Sequence, residues 1–382
     1  MRFFEYEAKS VFEKYGIRTP KRGYVTTPKD AKRLSKEIGC PVALKVQILA
    51  GGRGKAGGIK FADTPNEVEQ LARSLIGTKI EGLDVHGVLV EEKLRIDHEY
   101  YFGVTIDRSR RMPVALASSV GGMDIEQVAK NSPDKVIRRY IDPVIGMSEF
   151  EARILAKEVG FTGDDMLQIS RSILLLWKIM HDYDAELVES NPFVRTSDGT
   201  FVAADARLNL DDNSIFRHKE LETRIETTGE LNKREAQARE AGMSYVELDG
   251  EVAIIGNGAG LVMATLDMVN LYGGKPSNFL DVGGGAESER MAKALGIVSS
   301  HPNAKVVFIN ILGGITRCDE MARGIVKARE TVGVSIPLVV RMVGTNEVEG
   351  RDILNKAGIE VLDTMEDAAK KAVELSNSQK VA

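Results

Sequence analysis

The sequence predicts an α/β protein in two parts: a mixed α+β domain over residues 1–240, and a doubly wound parallel-sheet domain over residues 241–382. Three observations predict it. From about Met243, short β-branched runs alternate five times with helix-period segments, the rhythm of β-α units in a parallel sheet. All but the last of those runs end in turns rich in glycine or small polar residues. Before that point the rhythm is absent, and a charged stretch at about 217–240 with few apolar residues reads as a linker.

In the N-terminal part a helix is expected over 4–15, then a strand, a helix over 28–38 and the strand 42–47. A glycine loop follows, and beyond it strands near 88–91, 100–106 and 114–117. A long helix over about 164–181 carries Met166, Ile169, Ile173, Leu174, Trp177 and Met180 at three- to four-residue spacing, which is a core stripe. Strands over 185–189 and 200–204 flank Thr196-Ser197-Asp198-Gly199 as a hairpin.

In the C-terminal part the strands are expected at 252–255, 278–282, 306–311, 336–342 and 359–362. The turns after the first four contain Gly256-Asn257-Gly258, Gly283-Gly284-Gly285, Gly313-Gly314-Ile315-Thr316 and Gly344-Thr345-Asn346. A parallel sheet places all four on its carboxyl edge, where such folds bind ligands. One glycine turn needs no function; four on one edge favour an anionic ligand held by free amides and helix N-termini.

A chain of 382 residues with a 43% hydrophobic and 28% charged composition reads as an ordinary globular protein of two or three domains. Its formal charge of −5 gives no electrostatic footprint for nucleic acid or an anionic membrane. Two distant cysteines, Cys40 and Cys318, make a disulfide framework unexpected and point to a reducing compartment. The acidic start and the short apolar run Ile173-Leu174-Leu175-Leu176-Trp177 resemble neither a signal peptide nor a membrane span, so a cytoplasmic location is expected.

Gly51-Gly52-Arg53-Gly54-Lys55-Ala56-Gly57-Gly58 contains a G-x-G-x-x-G pattern, yet it runs into Ile59-Lys60-Phe61, which reads as another strand. A dinucleotide fingerprint must open a helix, and a Walker A loop needs Ser or Thr after its lysine. The better account is a flexible loop between strands that folds over a polyphosphate, with Arg53 and Lys55 supplying charge. Lys45 either points at the same phosphates or is a solvated lysine on an edge strand. Glu189 and Asn191, two apart on one strand, share a face that Asp205 can oppose; together the three supply two carboxylates and an amide oxygen, hard ligands suited to Mg²⁺. Surface acids in a turn are the plainer reading, but these acids end otherwise apolar strands.

With Glu5-Tyr6-Glu7-Ala8-Lys9, Glu189-Ser190-Asn191-Pro192, Asn257-Gly258-Ala259-Gly260, Asn278-Phe279-Leu280-Asp281-Val282-Gly283-Gly284-Gly285 and Gly313-Gly314-Ile315-Thr316-Arg317-Cys318-Asp319, the chain resembles the β subunits of the succinyl-CoA synthetase family over nearly its whole length. The resemblance implies an N-terminal ATP-grasp domain and a C-terminal flavodoxin-like domain. It implies that Lys45, Gly52, Arg53 and Gly54 hold nucleotide phosphates, that Glu91 and Leu94 line the adenine hinge, and that Glu99 binds the ribose. Asn191 and Asp205 should hold Mg²⁺, and Glu189 should act catalytically beside a phosphohistidine. Asn257, Gly314, Ile315 and Thr316 should bind the carboxylate substrate or the phosphate travelling to it. Ala206-Arg207 and Thr316 depart from the family's frequent Gly-Lys and Val.

The implied reaction joins succinate and CoA at the expense of ATP or GTP, through an acyl phosphate and a phosphohistidine. The five histidines, His86, His98, His181, His218 and His301, lie in no glycine-flanked loop. The phosphohistidine and most of the CoA site are therefore expected on an α subunit, in an αβ or α2β2 assembly. A malate–CoA ligase β chain and a non-catalytic nucleotide-binding regulatory subunit are the alternatives.

Overall fold

Threonine and proline set two of the first helices. Thr27 and Thr64 each accept the backbone N–H three residues on, with proline at the first helical position, the pairing expected where a helix leaves its first amides unsatisfied. The computed structural model describes residues 1–49, 54, 56–219, 221, 232–333 and 336–378. It divides into two units, Met1–Thr228 and Gly229–Ala382.

The first unit runs α1 (Glu5–Tyr15), β1 (Arg22–Val25), α2 (Pro28–Ile38), β2 (Val42–Val46), β3 (Ile59–Ala62), α3 (Pro65–Leu75), β4 (Lys79–Ile80), β5 (Leu83–Asp84) and β6 (Val88–Glu92). It continues with β7 (Ile96–Asp107), β8 (Met112–Ser118), α4 (Ile125–Asn131), β9 (Ile137–Tyr140), α5 (Glu149–Val159), α6 (Gly163–Asp182), β10 (Ala185–Thr196), β11 (Phe201–Ala203) and β12 (Arg207–Leu210). One antiparallel sheet has the order β1-β6-β2-β3, and a second has β11-β10-β7-β8-β9 with β12 also on β10. Leu44, Val46, Val88 and Val90 of the first sheet bury against Val68 and Ala72 of α3. The apolar stripes of α1, α5 and α6 cover the second, with Ile169, Ile173 and Met180 in that core.

Two strand expectations change in shape. β2 is an inner strand of its sheet, which removes the edge-strand reading of Lys45. The strand expected to stop at Glu189 runs on to Thr196, and its register against β7 shifts between Ser190 and Phe193. β12 pairs with β10 before this shift and β11 after it, so the link Ala204–Ala206 crosses beside Ser190–Pro192.

The second unit runs α7 (Lys233–Glu240), β13 (Ser244–Glu247), β14 (Val252–Gly256), α8 (Ala259–Leu271), β15 (Asn278–Asp281), α9 (Ser288–Ser299), β16 (Val306–Gly313), α10 (Cys318–Val332), β17 (Leu338–Gly344), α11 (Glu347–Lys356), β18 (Val361–Leu362) and α12 (Met365–Ser378). Its sheet order is β13-β15-β14-β16-β17-β18, with only β13 antiparallel. Leaving out β13, this is the flavodoxin-like order, second-first-third-fourth-fifth. Ile254 and Phe308 face α8 and α12, while Ile255 and Ile309 face α9 and α10, the alternation a strand imposes.

Residues 233–240, expected within the linker, form α7 in this unit. Asn232 and Glu235 cap it reciprocally, and Arg234 pairs with Glu247 of β13. Charge density there marks a paired helix; residues 220 and 222–231 lie outside the described residues.

Candidate functional site

In the first unit, the loop from β2 to β3 is a connection between antiparallel strands. Lys45 pairs in register with Ile59, and Val46 N–H donates to Gly58 O at 2.9 Å. No helix opens after it, as the dinucleotide fingerprint would require. Of the expected phosphate residues, Gly52, Arg53 and Lys55 lie outside the described residues, while Gly54 stands in the turn.

Lys45 enters this site from the sheet. Its ammonium lies 3.0 Å from Glu5, 2.6 Å from Glu91 and 2.7 Å from Ala204 O. Burial alone would lower its pKa, but the charges of Glu5, Glu91 and Asp205 outweigh burial and hold it well above the usual lysine range. It is a permanent cation, with an 11% exposed side chain.

Glu91, expected at the adenine hinge, turns its carboxylate into this cluster, bound to Lys9 and Lys45. Leu94 is half-buried against Val194, Val202 and Ala204, an apolar surface of the kind a flat base packs on. Glu99 on β7 reaches Gly122, where any Cβ would collide with its carboxylate. The Gly121 and Gly122 loop was not singled out from sequence, although paired glycines after a strand are a visible signal.

Asn191 sits at the register shift. Its side-chain oxygen accepts from Gly122 N–H at 2.8 Å, and its amide nitrogen donates to Met123 O at 2.7 Å. Asp205 is stitched beside the same stretch: Ser190 Oγ donates to Asp205 O at 2.6 Å, and Asp205 N–H donates to Pro192 O at 3.3 Å. Among the described residues, no three His, Cys, Asp or Glu gather as a metal cage. An amide oxygen and one carboxylate fit Mg²⁺, which keeps waters and takes phosphate oxygens as further ligands.

Glu189 accepts from Tyr101 Oη at 2.9 Å and faces Arg207 at 3.5 Å. Gly103, opposite Glu189 in register, leaves room for that tyrosine; a Cβ there would stand 2.6 Å from Oη. Burial, then the Glu189 charge, push the Tyr101 hydroxyl well above its ordinary pKa, so it remains a donor. Tyr101 was missed in the sequence because alternation marks it only as inward-facing.

In the second unit, β14 is flanked by β15 and β16, and connections leave it in both directions. The crevice at that switch point is where the fold class binds ligands. Asn257 bridges it, donating to Leu312 O at 2.8 Å and accepting from Leu312 N–H at 2.9 Å, with a second amide hydrogen and lone pair remaining. Gly314 has open space where a Cβ would stand, and Ile315 is 91% exposed. Thr316 is buried and its hydroxyl accepts from Gly285 N–H at 3.0 Å, tying two glycine turns together.

α10 opens next to these residues. Asp319 in its first turn is held far below the usual carboxylate range, mainly by hydrogen bonding from Arg317, with Asn346 and Arg323 adding to it. Four of the five histidines have partners away from these residues. His98 contacts Ser119 O, His181 contacts Asp182, His218 contacts Asp184, His301 contacts Leu248 O, and His86 is exposed.

A buried lysine beside a connection between antiparallel strands in one unit, and a flavodoxin-like sheet with glycine turns in the other, fit the class of ATP-grasp acyl-CoA ligase chains. The ATP-grasp domain family matches residues 2–195 and the CoA-ligase family matches residues 255–375. The β subunit of ADP-forming succinate–CoA ligase from Pyrobaculum aerophilum is 47% identical over 380 residues, covering 98% of this chain and all of that protein. Its counterpart from Staphylothermus marinus is 46% identical over 378 residues, 99% of each. The chain belongs to this family of ligase β subunits. ATP citrate lyase from Methanothrix soehngenii shares the fold, with a TM-score of 0.76 at 20% identity over 98% of this chain and 99% of that one. No described helix is long and apolar enough to cross a membrane.

Proposed function

We propose that this chain is the nucleotide-binding subunit of an enzyme that interconverts succinate, CoA and a nucleoside triphosphate with succinyl-CoA, the diphosphate and phosphate. The observation that carries the reading is Lys45, an inner-strand cation beside the loop between β2 and β3, with Ala204 O and Asp205 at its side. On this reading Lys45 and the loop containing Gly52, Arg53 and Gly54 bind phosphates, Leu94 supports the base and Glu99 the ribose. Asn191 and Asp205 bind Mg²⁺, which would neutralise phosphate charge when bound.

Glu189, oriented by Tyr101, receives the phosphohistidine carried by a partner α subunit, which also supplies most of the CoA site. Asn257 and Gly314-Ile315-Thr316 hold the acid or its phosphate at the switch point. The Thr316 hydroxyl is already bound to Gly285 N–H. The domain assignment proposed is ATP-grasp for the first unit and CoA-ligase for the second, with the boundary moved from residue 240 to before α7, in a cytoplasmic αβ or α2β2 enzyme.

Calorimetry on the full chain tests the nucleotide reading. Mg²⁺-bound ATP or GTP should bind and NAD(H) should not; tight NAD(H) binding without either triphosphate would overturn it.

A further inference from the structure

Two lysines share one set of acceptors in the first unit. Lys9 Nζ lies 2.8 Å from Glu5 Oε1, 2.6 Å from Glu91 Oε2 and 2.8 Å from Ala204 O. Lys45 Nζ lies 3.0 Å from the same Glu5 oxygen, 2.6 Å from the other Glu91 oxygen and 2.7 Å from the same carbonyl. The Lys9 side chain is 0% exposed and that of Lys45 11%. One cation is sealed inside; the other faces outward on the same carboxylates.

Burying an ammonium completely is costly, and a hydrophobic side chain of similar volume fills such a place at no electrostatic cost. Packing therefore does not explain a lysine at position 9. Charge does. Lys9 and Lys45 share the Glu5 and Glu91 carboxylates. Removing Lys9 adds one net negative charge beside Lys45, which draws its ammonium inward and repels an incoming phosphate.

We propose that Lys9 is a positioning residue for nucleotide binding: it neutralises the inner side of Glu5 and Glu91, so that Lys45 can be shared with a nucleotide phosphate. Both ammoniums also donate to the carbonyl of Ala204, the residue before Asp205. Lys9 thus fixes the backbone that carries the proposed metal carboxylate as well. The inference rests on the reading of Lys45 as a phosphate-binding lysine.

The test is calorimetric binding of Mg²⁺-ADP to the full chain, with melting temperatures alongside, for Lys45→Met, Lys9→Met and the double variant Glu5→Gln/Lys9→Met. If Lys45→Met binds like the parent, the reading of Lys45 itself fails. If Lys45→Met weakens binding, Lys9→Met should weaken it by about tenfold or more, the scale of one unbalanced charge near the ligand. The double variant restores the balance and should return to within about threefold of the parent. A folded Lys9→Met that binds like the parent, or a double variant no better than Lys9→Met, overturns the positioning role. Should Lys9→Met alone not fold, the double variant decides: affinity near the parent supports the role, and affinity as weak as that of Lys45→Met overturns it.

Discussion

Asp205 and Tyr101 show how differently single residues can be read. Asp205 was visible because an acid ends an apolar strand, and the structure stitches its backbone to Ser190 and Pro192. Asp205→Asn removes a charge while keeping the shape, so Mg²⁺-nucleotide affinity should fall at least about tenfold with the fold intact, as titrations at several Mg²⁺ concentrations would reveal. Unchanged Mg²⁺ dependence would remove Asp205 from the metal site. Tyr101 left no trace in the sequence beyond alternation, because what matters is its reach across Gly103 to Glu189. Tyr101→Phe should cost about 1.5–3 kcal/mol in denaturant unfolding, the worth of a hydrogen bond to a charged group, and should slow phosphoryl transfer. Lys9 was legible only as the end of a motif, and Glu91 only as a hinge residue implied by the resemblance. Their pairing joins α1 to β6, a contact that no local pattern encodes.

At the scale of elements, the strands and helices of the second unit were readable almost throughout, because buried parallel strands make continuous β-branched runs. β13 was missed: it is a four-residue antiparallel edge with one buried position, too short for a period to register. α7 was hidden by its charge, which its cap and the Arg234–Glu247 pair account for. The turns between β16 and α10 and after β17 separate a glycine required by packing from one that faces open space. Gly344 has φ +114°, and a Cβ there would collide with Gly313 O, so Gly344→Ala should lower stability by about 2–3 kcal/mol. Gly314 faces open space. Gly314→Val should therefore leave melting unchanged and slow phosphoryl transfer between the partner's histidine and succinate, as rapid-quench kinetics would resolve. A normal rate would make this only a tight turn.

The first turn of α10 carries a pH dependence of its own. The Asp319 carboxylate is held below its unfolded value, so its contribution to stability is present above about pH 4 and is lost as pH falls through the folded value. Asp319→Asn should therefore destabilise at neutral pH, and its difference from the parent should shrink below about pH 4 in acid unfolding. A gap that is constant down to about pH 2 would contradict the ion-pair account.

For the whole molecule, the sequence resemblance and the family agree on a ligase β subunit, and the two units carry separate chemistries. The proposed function places the phosphohistidine on a partner subunit and on none of the five histidines, and that is the central claim's sharpest consequence. The most direct measurement is transfer of label from γ-phosphate-labelled ATP, with Mg²⁺, to the purified chain alone and then with its partner subunit. The chain alone should take up no acid-labile phosphate and form no succinyl-CoA. With the partner present, label should appear on a histidine of that subunit and be discharged by succinate and CoA. Acid-labile label on His86, His98, His181, His218 or His301 of this chain, with turnover in the partner's absence, would contradict the account.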